Sequence, residues 1–138
     1  MTTVSTEPEL AAQAVAAAGD AIVTLDRSGK VTSWNRTAES LFGFSREDAV
    51  AEGLVLIIPA EYRARHVAAF HAAMDSGHLA HGGAVARVEA TGKSGARLVL
   101  GLSLGLLHDQ DGQVTGAVAV LRPLAGAVVD FVAPGQAS

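Results

Sequence analysis

Residues 20–48 read DAIVTLDRSGKVTSWNRTAESLFGFSRED, and this stretch decides the fold. Two short runs of mostly apolar and β-branched residues, 21–25 and 31–34, flank a polar segment at 26–29. Gly29 closes that segment and supplies the positive φ angle that tight turns between strands require. The stretch therefore predicts an antiparallel hairpin.

Helix-start and helix-stop signals follow the hairpin directly. Asn35 has a side chain suited to capping a helix, and the short helix that it begins runs to Phe42, before Gly43 ends it. Ser45, followed three residues later by Asp48, resembles a capping box and predicts the start of a second short helix. The segment after the hairpin is therefore expected to break into short helical pieces.

A longer helix and three further strands are predicted in the rest of the chain. The helix spans 60–74, and Gly77 is suited to end it in the left-handed conformation. Alternating side chains predict strands over 84–90, 98–105 and 114–121. With neighbouring strands antiparallel, this order predicts an α+β fold, in which a five-stranded sheet carries its helices on one face.

An additional helix is predicted at the N-terminus. Ser5 or Thr6 caps it, Pro8 lies in its first turn, and it ends near Gly19. Its apolar positions spread around much of the cylinder: Leu10, Ala14, Val15, Ala17 and Ala18. This spread fits a partner helix or a second subunit as well as it fits a helix that caps its own core.

The composition excludes several classes of function. A net charge of −4 without a cluster of Lys and Arg offers no surface that tracks phosphates, so nucleic acid is not an expected partner. The chain has no cysteine, which excludes disulfides, CxxC redox chemistry and cysteine-attached chromophores. No segment resembles a nucleophile elbow or a phosphate-binding loop, so the chain is not expected to be an enzyme.

A length of 138 residues fits one domain. We divide it into an N-terminal helical cap at 1–19, the main α+β domain at 20–124, and a C-terminal tail at 125–138. The N-terminus lacks the pattern of a signal peptide, and no apolar run approaches the roughly 18 residues needed to span a bilayer. These features predict a soluble, cytoplasmic protein with no membrane partner.

Two stretches of the chain resemble the PAS family of sensor domains, and the resemblance covers roughly residues 14–124. Residues 20–48 are similar to the family's opening, with its Asp-x-x-Gly turn, Trp-Asn, Ala-Glu and Phe-Gly-Phe-Ser. KSGARLVLGLSLGLLHDQDGQVTGAVAVLRPL, residues 93–124, resembles the family's last two strands. Ser94 stands where the family usually has Asp, and Leu-Arg-Pro at 121–123 replaces its usual Arg-Asp exit.

The resemblance implies a sensory or signalling domain with the PAS fold and a pocket between the sheet and the helices. The family fills this pocket with haem, flavin, small acids or lipids, or leaves it empty in dimerisation modules, and the fold does not choose among these. Its cysteine-dependent light sensors are excluded here. A homodimer through the N-terminal helix and a signalling partner protein are expected.

The stretch PAEYRARHVAAFHAAM, residues 59–74, resembles the helix that supplies the proximal histidine in haem-containing PAS oxygen sensors. His66 is the matching histidine. At 100° per residue, its helix face also carries Tyr62, Ala69, Phe70 and Ala73. His71 is expected to point nearly the opposite way. The resemblance thus implies haem b, with His66 as the proximal ligand of the iron.

The distal side of the implied haem is apolar. The resemblance places Leu102 and Leu104 over it and sets Ala84 and Ala86 where such sensors carry a distal Met or Arg. With no side chain to occupy the sixth position, the iron would be open to O2, CO or NO. The alternative is a PAS module that binds a small apolar ligand such as a fatty acid, or a ligand-free dimerisation or protein-interaction domain.

Overall fold

The computed structural model describes residues 4–79 and 84–124. Within them, helices and strands follow in the predicted order. The helices are α1 (Glu7–Ala17), α2 (Arg36–Phe42), α3 (Arg46–Glu52) and α4 (Arg63–Ser76), with single 3-10 turns at Leu54–Ile57 and Ala60–Tyr62. The strands are β1 (Ala21–Asp26), β2 (Val31–Trp34), β3 (Ala86–Thr91), β4 (Arg97–His108) and β5 (Val114–Pro123). The predicted tail at 125–138 lies outside the described residues.

The five strands form one antiparallel sheet in the order β2-β1-β5-β4-β3. The β1–β2 hairpin pairs with β5, which brings the beginning and the end of the described chain together at the centre of the sheet. The helices lie on one face, so the α+β prediction is confirmed. No helix of the described ranges is long and apolar enough to cross a membrane.

Local capping signals place the helix ends. The side-chain oxygens of Thr6, Asn35 and Ser45 accept hydrogen bonds from the third residue after each, as N-caps do. Gly43 and Gly77 end α2 and α4 in the left-handed conformation. The predicted starts of α1, α2 and α3 and the glycine stops of α2 and α4 are therefore confirmed, whereas the helix predicted from residue 60 begins at Arg63, after the 3-10 turn at Ala60–Tyr62.

Three strands differ in extent from their predictions, and one of them, β5, ends at Pro123 rather than at residue 121. β3 begins at Ala86 rather than at residue 84, and β4 continues to His108 rather than ending at 105. β4 runs on because β5 pairs with it as far as His108, opposite Val114. The length of β4 therefore depends on its partner strand, and the alternation of side chains within β4 cannot predict where that pairing ends.

The core lies between the inner face of the sheet and α2, α3 and the segment after α3. Trp34 and Phe42 pack with ring centroids 5.4 Å apart, and the indole N–H of Trp34 donates to the Phe44 carbonyl at 3.1 Å. The largest fully buried side chains are Phe42, Leu100, Val23 and Val31. Small and branched aliphatic groups fill most of the remaining interior.

The predicted N-terminal helix is present and is attached through its carboxyl end. The Asn35 side-chain amide donates to the carbonyls of Val15 and Asp20, and the Thr37 hydroxyl donates to the Ala18 carbonyl. No side chain of α1 is buried, and Leu10 is 53% exposed. α1 therefore adds a surface to the domain without adding to its core.

The helical layer covers the inner face of the sheet incompletely. Leu100 and Leu104 lie on the same strand and the same face, since their side chains alternate with a period of two. Leu100 is fully buried, whereas Leu104 is 40% exposed. The sheet near Leu104 is therefore open on the side where α4 lies.

Candidate ligand-binding site

Helix α4 turns its larger apolar side chains towards the hairpin and the core. Met74 is its one buried residue, and Phe70 packs against the core cluster and against the turn at Gly29. Large side chains bury more apolar area than alanine does, so they determine which face of the helix is inside. Ala69 and Ala73 consequently lie on a different side of α4, although the sequence grouped them with His66.

A cavity of about 180 Å³ lies between α4 and the β1–β2 hairpin. Its apolar wall consists of Leu25, Leu54, Val55, Val67 and Phe70. Its polar and glycine residues are Ser28, Gly29, Glu52, Gly53, His66 and His71. Three parts of the chain build it: the end of β1 with its turn, the end of α3 with the following 3-10 turn, and one face of α4.

Two imidazole rings line this cavity. His66 is half-buried, and that burial lowers the pKa of its imidazole below the usual value, which favours the neutral ring at neutral pH. His71 contributes to the same cavity, with its ring edge-on to Phe70 at a centroid distance of 5.8 Å. At 100° per residue, His71 lies well round α4 from His66, and it is exposed whereas His66 is half-buried, although both residues border the cavity.

The hairpin turn that forms the opposite wall is held by hydrogen bonds. The Asp26 carboxylate accepts from the Ser28 hydroxyl at 2.6 Å and from the backbone N–H groups of Ser28 and Lys30. The Ser28 hydroxyl and then these backbone donors lower the pKa of Asp26, so it stays ionised. An exposed ion pair, Arg27 with Asp75 at 3.5 Å, joins this turn to the end of α4.

The predicted site residues do not all meet at one place. His66 and Phe70 line the cavity, whereas Ala69 lines a second groove of about 280 Å³ along α4. Tyr62 is exposed, and its hydroxyl lies 3.4 Å from the Glu89 carboxylate.

The four residues predicted for the distal side lie on or beside β3 and β4. Ala84 and Leu104 are exposed, and Ala86 pairs with Leu102 between the two strands. None of the four predicted distal residues lines the cavity that contains His66.

This arrangement does not fit a haem. Sites for drug-sized ligands and cofactors measure about 300–1,000 Å³, larger than the cavity beside His66. The proposed proximal and distal residues also border different spaces. A haem at His66 would require α4 to move or turn, so haem binding stays a prediction.

The sequence did not predict the part of the cavity lining that lies outside α4, which is the hairpin turn and the segment from Glu52 to Val55. Gly29 was recognised as a turn residue, and Glu52 to Val55 follow a capped helix, but no periodicity links either segment to His66. Their proximity arises from tertiary packing. One feature of the sequence could have predicted which face of α4 is buried: Phe70 and Met74 are much larger than the alanines of the same helix.

A metal centre is not indicated in the part of the chain that the structure describes. No group of three or more His, Asp or Glu side chains there is placed to hold a metal ion. The cavity histidines are therefore available for hydrogen bonding, and neither ring is hydrogen-bonded to another described residue.

A five-stranded antiparallel sheet with helices on one face and a cavity beneath α4 is the architecture of a class of small sensory and signalling domains. A family model described as the PAS fold matches residues 9–124. The chain belongs to the PAS family, as the sequence resemblance predicted. No curated protein matches it.

Solved structures share the fold at low sequence identity. A PAS domain from Colwellia psychrerythraea has a TM-score of 0.74 and 20% identity, over 86% of this chain and 98% of that chain. An RNA-binding light-oxygen-voltage receptor has a TM-score of 0.71 and 14% identity, over 90% of this chain and 37% of that chain. The PAS domain of a LuxR-family transcriptional regulator from Burkholderia thailandensis, in complex with ethanol, has a TM-score of 0.63 and 14% identity, over 82% and 96%. These similarities show the fold alone.

Proposed function

We propose that this PAS domain senses a small, largely apolar molecule that binds in the cavity between α4 and the β1–β2 hairpin. The observation that carries this proposal is the cavity itself, with apolar residues from three parts of the chain and two imidazoles that lack partners among the described residues. The domain acts by binding, without catalysis of its own.

The size of the cavity limits the ligand. An engineered cavity of about 150 Å³ in another protein holds benzene, so about 180 Å³ suits a compact molecule of similar size. A long fatty-acid chain would extend beyond it. The complex of the Burkholderia thailandensis PAS domain with ethanol supports the idea that this fold can hold a very small organic molecule.

The signal would leave through α4 and the hairpin. Ligand binding presses on Phe70 and Gly29, which line the cavity, and the Asn35 side chain connects β1 of the hairpin to the end of α1. A homodimer or a signalling partner that covers the exposed Leu10 of α1 would then receive the change. Sedimentation tests the dimer: if the full chain and a chain without residues 1–18 are both monomers, α1 has no such role.

Ligand binding is tested by titrating the ¹⁵N-labelled chain with benzene and following backbone amide shifts. We expect saturable shifts at Gly29, Gly53 and Leu54. Val67→Phe, which adds volume at the cavity wall, should weaken binding at least tenfold. Val85→Phe makes the same change at an exposed position outside the cavity and should leave binding unchanged. Absence of saturable shifts in the folded parent chain would contradict the proposal.

The competing haem hypothesis has a separate test. Neutral His66 is a chemically suitable iron ligand, and a haem protein shows a Soret band that His66→Ala removes. Colourless protein after expression with added haem would exclude this hypothesis. It would leave the small-ligand proposal intact, because that proposal needs no iron.

A further inference from the structure

We infer that the cavity selects a neutral molecule with one hydrogen-bonding group and rejects the anion of the same shape. This inference rests on the proposed function, because it names the chemical class of the ligand in the same site. It departs from the small carboxylic acids and fatty acids that the family resemblance included.

The apolar wall fixes where the body of the ligand lies. Leu25, Leu54 and Phe70 come from the sheet, the 3-10 turn and α4, so a compact hydrocarbon portion is enclosed from three directions. Removing such surface from water is favourable in proportion to its area. The polar group of the ligand must then reach the remaining, polar part of the lining.

That polar part offers hydrogen bonds without fixed positive charge. His66 and His71 make no hydrogen bond to another described residue, and the neutral ring that burial favours at His66 offers one nitrogen donor and one acceptor. The Ser28 oxygen can accept a hydrogen bond while its proton is donated to Asp26. An amide, an alcohol or a similar neutral group satisfies such partners.

The charged side chains around the cavity disfavour an anion. Glu52 lines it, and the ionised Asp26 lies directly behind Ser28. Neither Lys nor Arg is among the lining residues. The nearby Arg27 is already engaged, with Asp75 and with the Val114 carbonyl at 3.1 Å. A carboxylate entering here would lose water, gain no cation, and face Glu52.

Benzamide and benzoate provide the test, because they have the same shape and differ in charge. Both are titrated into the ¹⁵N-labelled full chain at neutral pH and moderate salt. We expect benzamide to give saturable shifts at Ser28, Gly29 and Gly53, and benzoate to bind at least tenfold more weakly. Glu52→Gln should bring benzoate within about threefold of benzamide. Glu47→Gln, on the same helix but outside the cavity, should change neither affinity.

The outcomes separate the two proposals. Equal binding of benzoate and benzamide by the parent chain overturns the selection for neutral ligands and leaves the site in place. Rejection of benzoate that persists in Glu52→Gln overturns the role of this carboxylate. If neither compound binds but xenon shifts the same amides, the ligand class is wrong and the cavity is real. If xenon also has no effect, the proposed function fails as well.

Discussion

The side-chain amide of Asn35 donates a 2.9 Å hydrogen bond to the carbonyl of Val15 and thereby joins the last turn of α1 to the first turn of α2. The same side chain donates to the Asp20 carbonyl and accepts from the N–H groups of Ile22 and Ala38. It is the one buried polar residue in the described ranges. One amide thus positions α1, β1 and α2 relative to each other.

Asn35→Ala should lower the free energy of unfolding by about 3 kcal/mol, because it removes a helix cap and leaves backbone groups without partners. Ser45→Ala is the matched control, since Ser45 caps α3 through a single bond to Asp48 and should cost about 1 kcal/mol. Urea unfolding measures both. Hydrogen exchange in α1 should accelerate in Asn35→Ala only, and equal protection of α1 in both variants would contradict the joining role.

Gly116→Ala should destabilise the chain by about 3 kcal/mol, because an added Cβ would overlap the Leu25 carbonyl oxygen of the neighbouring strand. That oxygen belongs to the backbone of the central strand pair and cannot move away alone. Gly19→Ala is the control: no atom lies within 4 Å of its added Cβ, and thermal unfolding should show almost no change. Similar losses in both variants would refute the close approach at Gly116.

Leu100→Ala and Leu104→Ala compare two leucines on the same face of β4. Leu100 is fully buried, and its truncation should cost about 3 kcal/mol. Leu104 is 40% exposed, and its truncation should cost about 1 kcal/mol. Chemical denaturation measures the difference. Equal losses would mean that α4 covers the sheet near Leu104 in solution.

The lowered pKa of His66 predicts how stability depends on pH. In the unfolded chain the imidazole titrates near its usual value of about 6.5, whereas burial lowers the pKa in the folded chain. The unfolded state therefore binds the proton first as pH falls. The stability that is present above about pH 6.5 should be lost as pH falls through that value towards the folded pKa.

His66→Gln should reduce this loss between about pH 7.5 and 5.5, as measured by urea unfolding at each pH. Glu52 and His71 share the cavity with His66 and are retained in the variant. His108→Gln removes an exposed histidine at the end of β4 and serves as the control. If the parent chain and His66→Gln lose stability equally, His66 is not the group responsible.

Signals confined to a few neighbouring residues predicted the architecture. Thr6, Asn35 and Ser45 cap helices through hydrogen bonds three residues away, and Gly29 and Gly77 adopt the positive φ angles that their turns require. Alternation of side chains predicted the strands, and their order predicted the sheet. Such features depend on local chemistry and can be recognised without knowledge of the tertiary structure.

The site could be predicted only in part, because it depends on how α4 rotates about its axis. The sequence identified His66 and Phe70 as lining residues but grouped Ala69 and Ala73 with them, and these two alanines border the second groove instead. Packing of Phe70 against the core and burial of Met74 decide that rotation, which also brings Glu52 and Gly53 across from the imidazoles. Contacts between residues so far apart in the chain produce no repeating pattern of side chains from which they could be predicted.

The rotation of α4 also means that one helix separates two hollow spaces. His66 and Phe70 face the smaller space, while Ala69 and Ala73 border the larger groove on another side. The described lining of this groove lies on α4 and on the residues that directly follow it, so a molecule that wedges α4 away from the hairpin would carry the groove along, and occupancy inside the domain becomes a displacement of its surface.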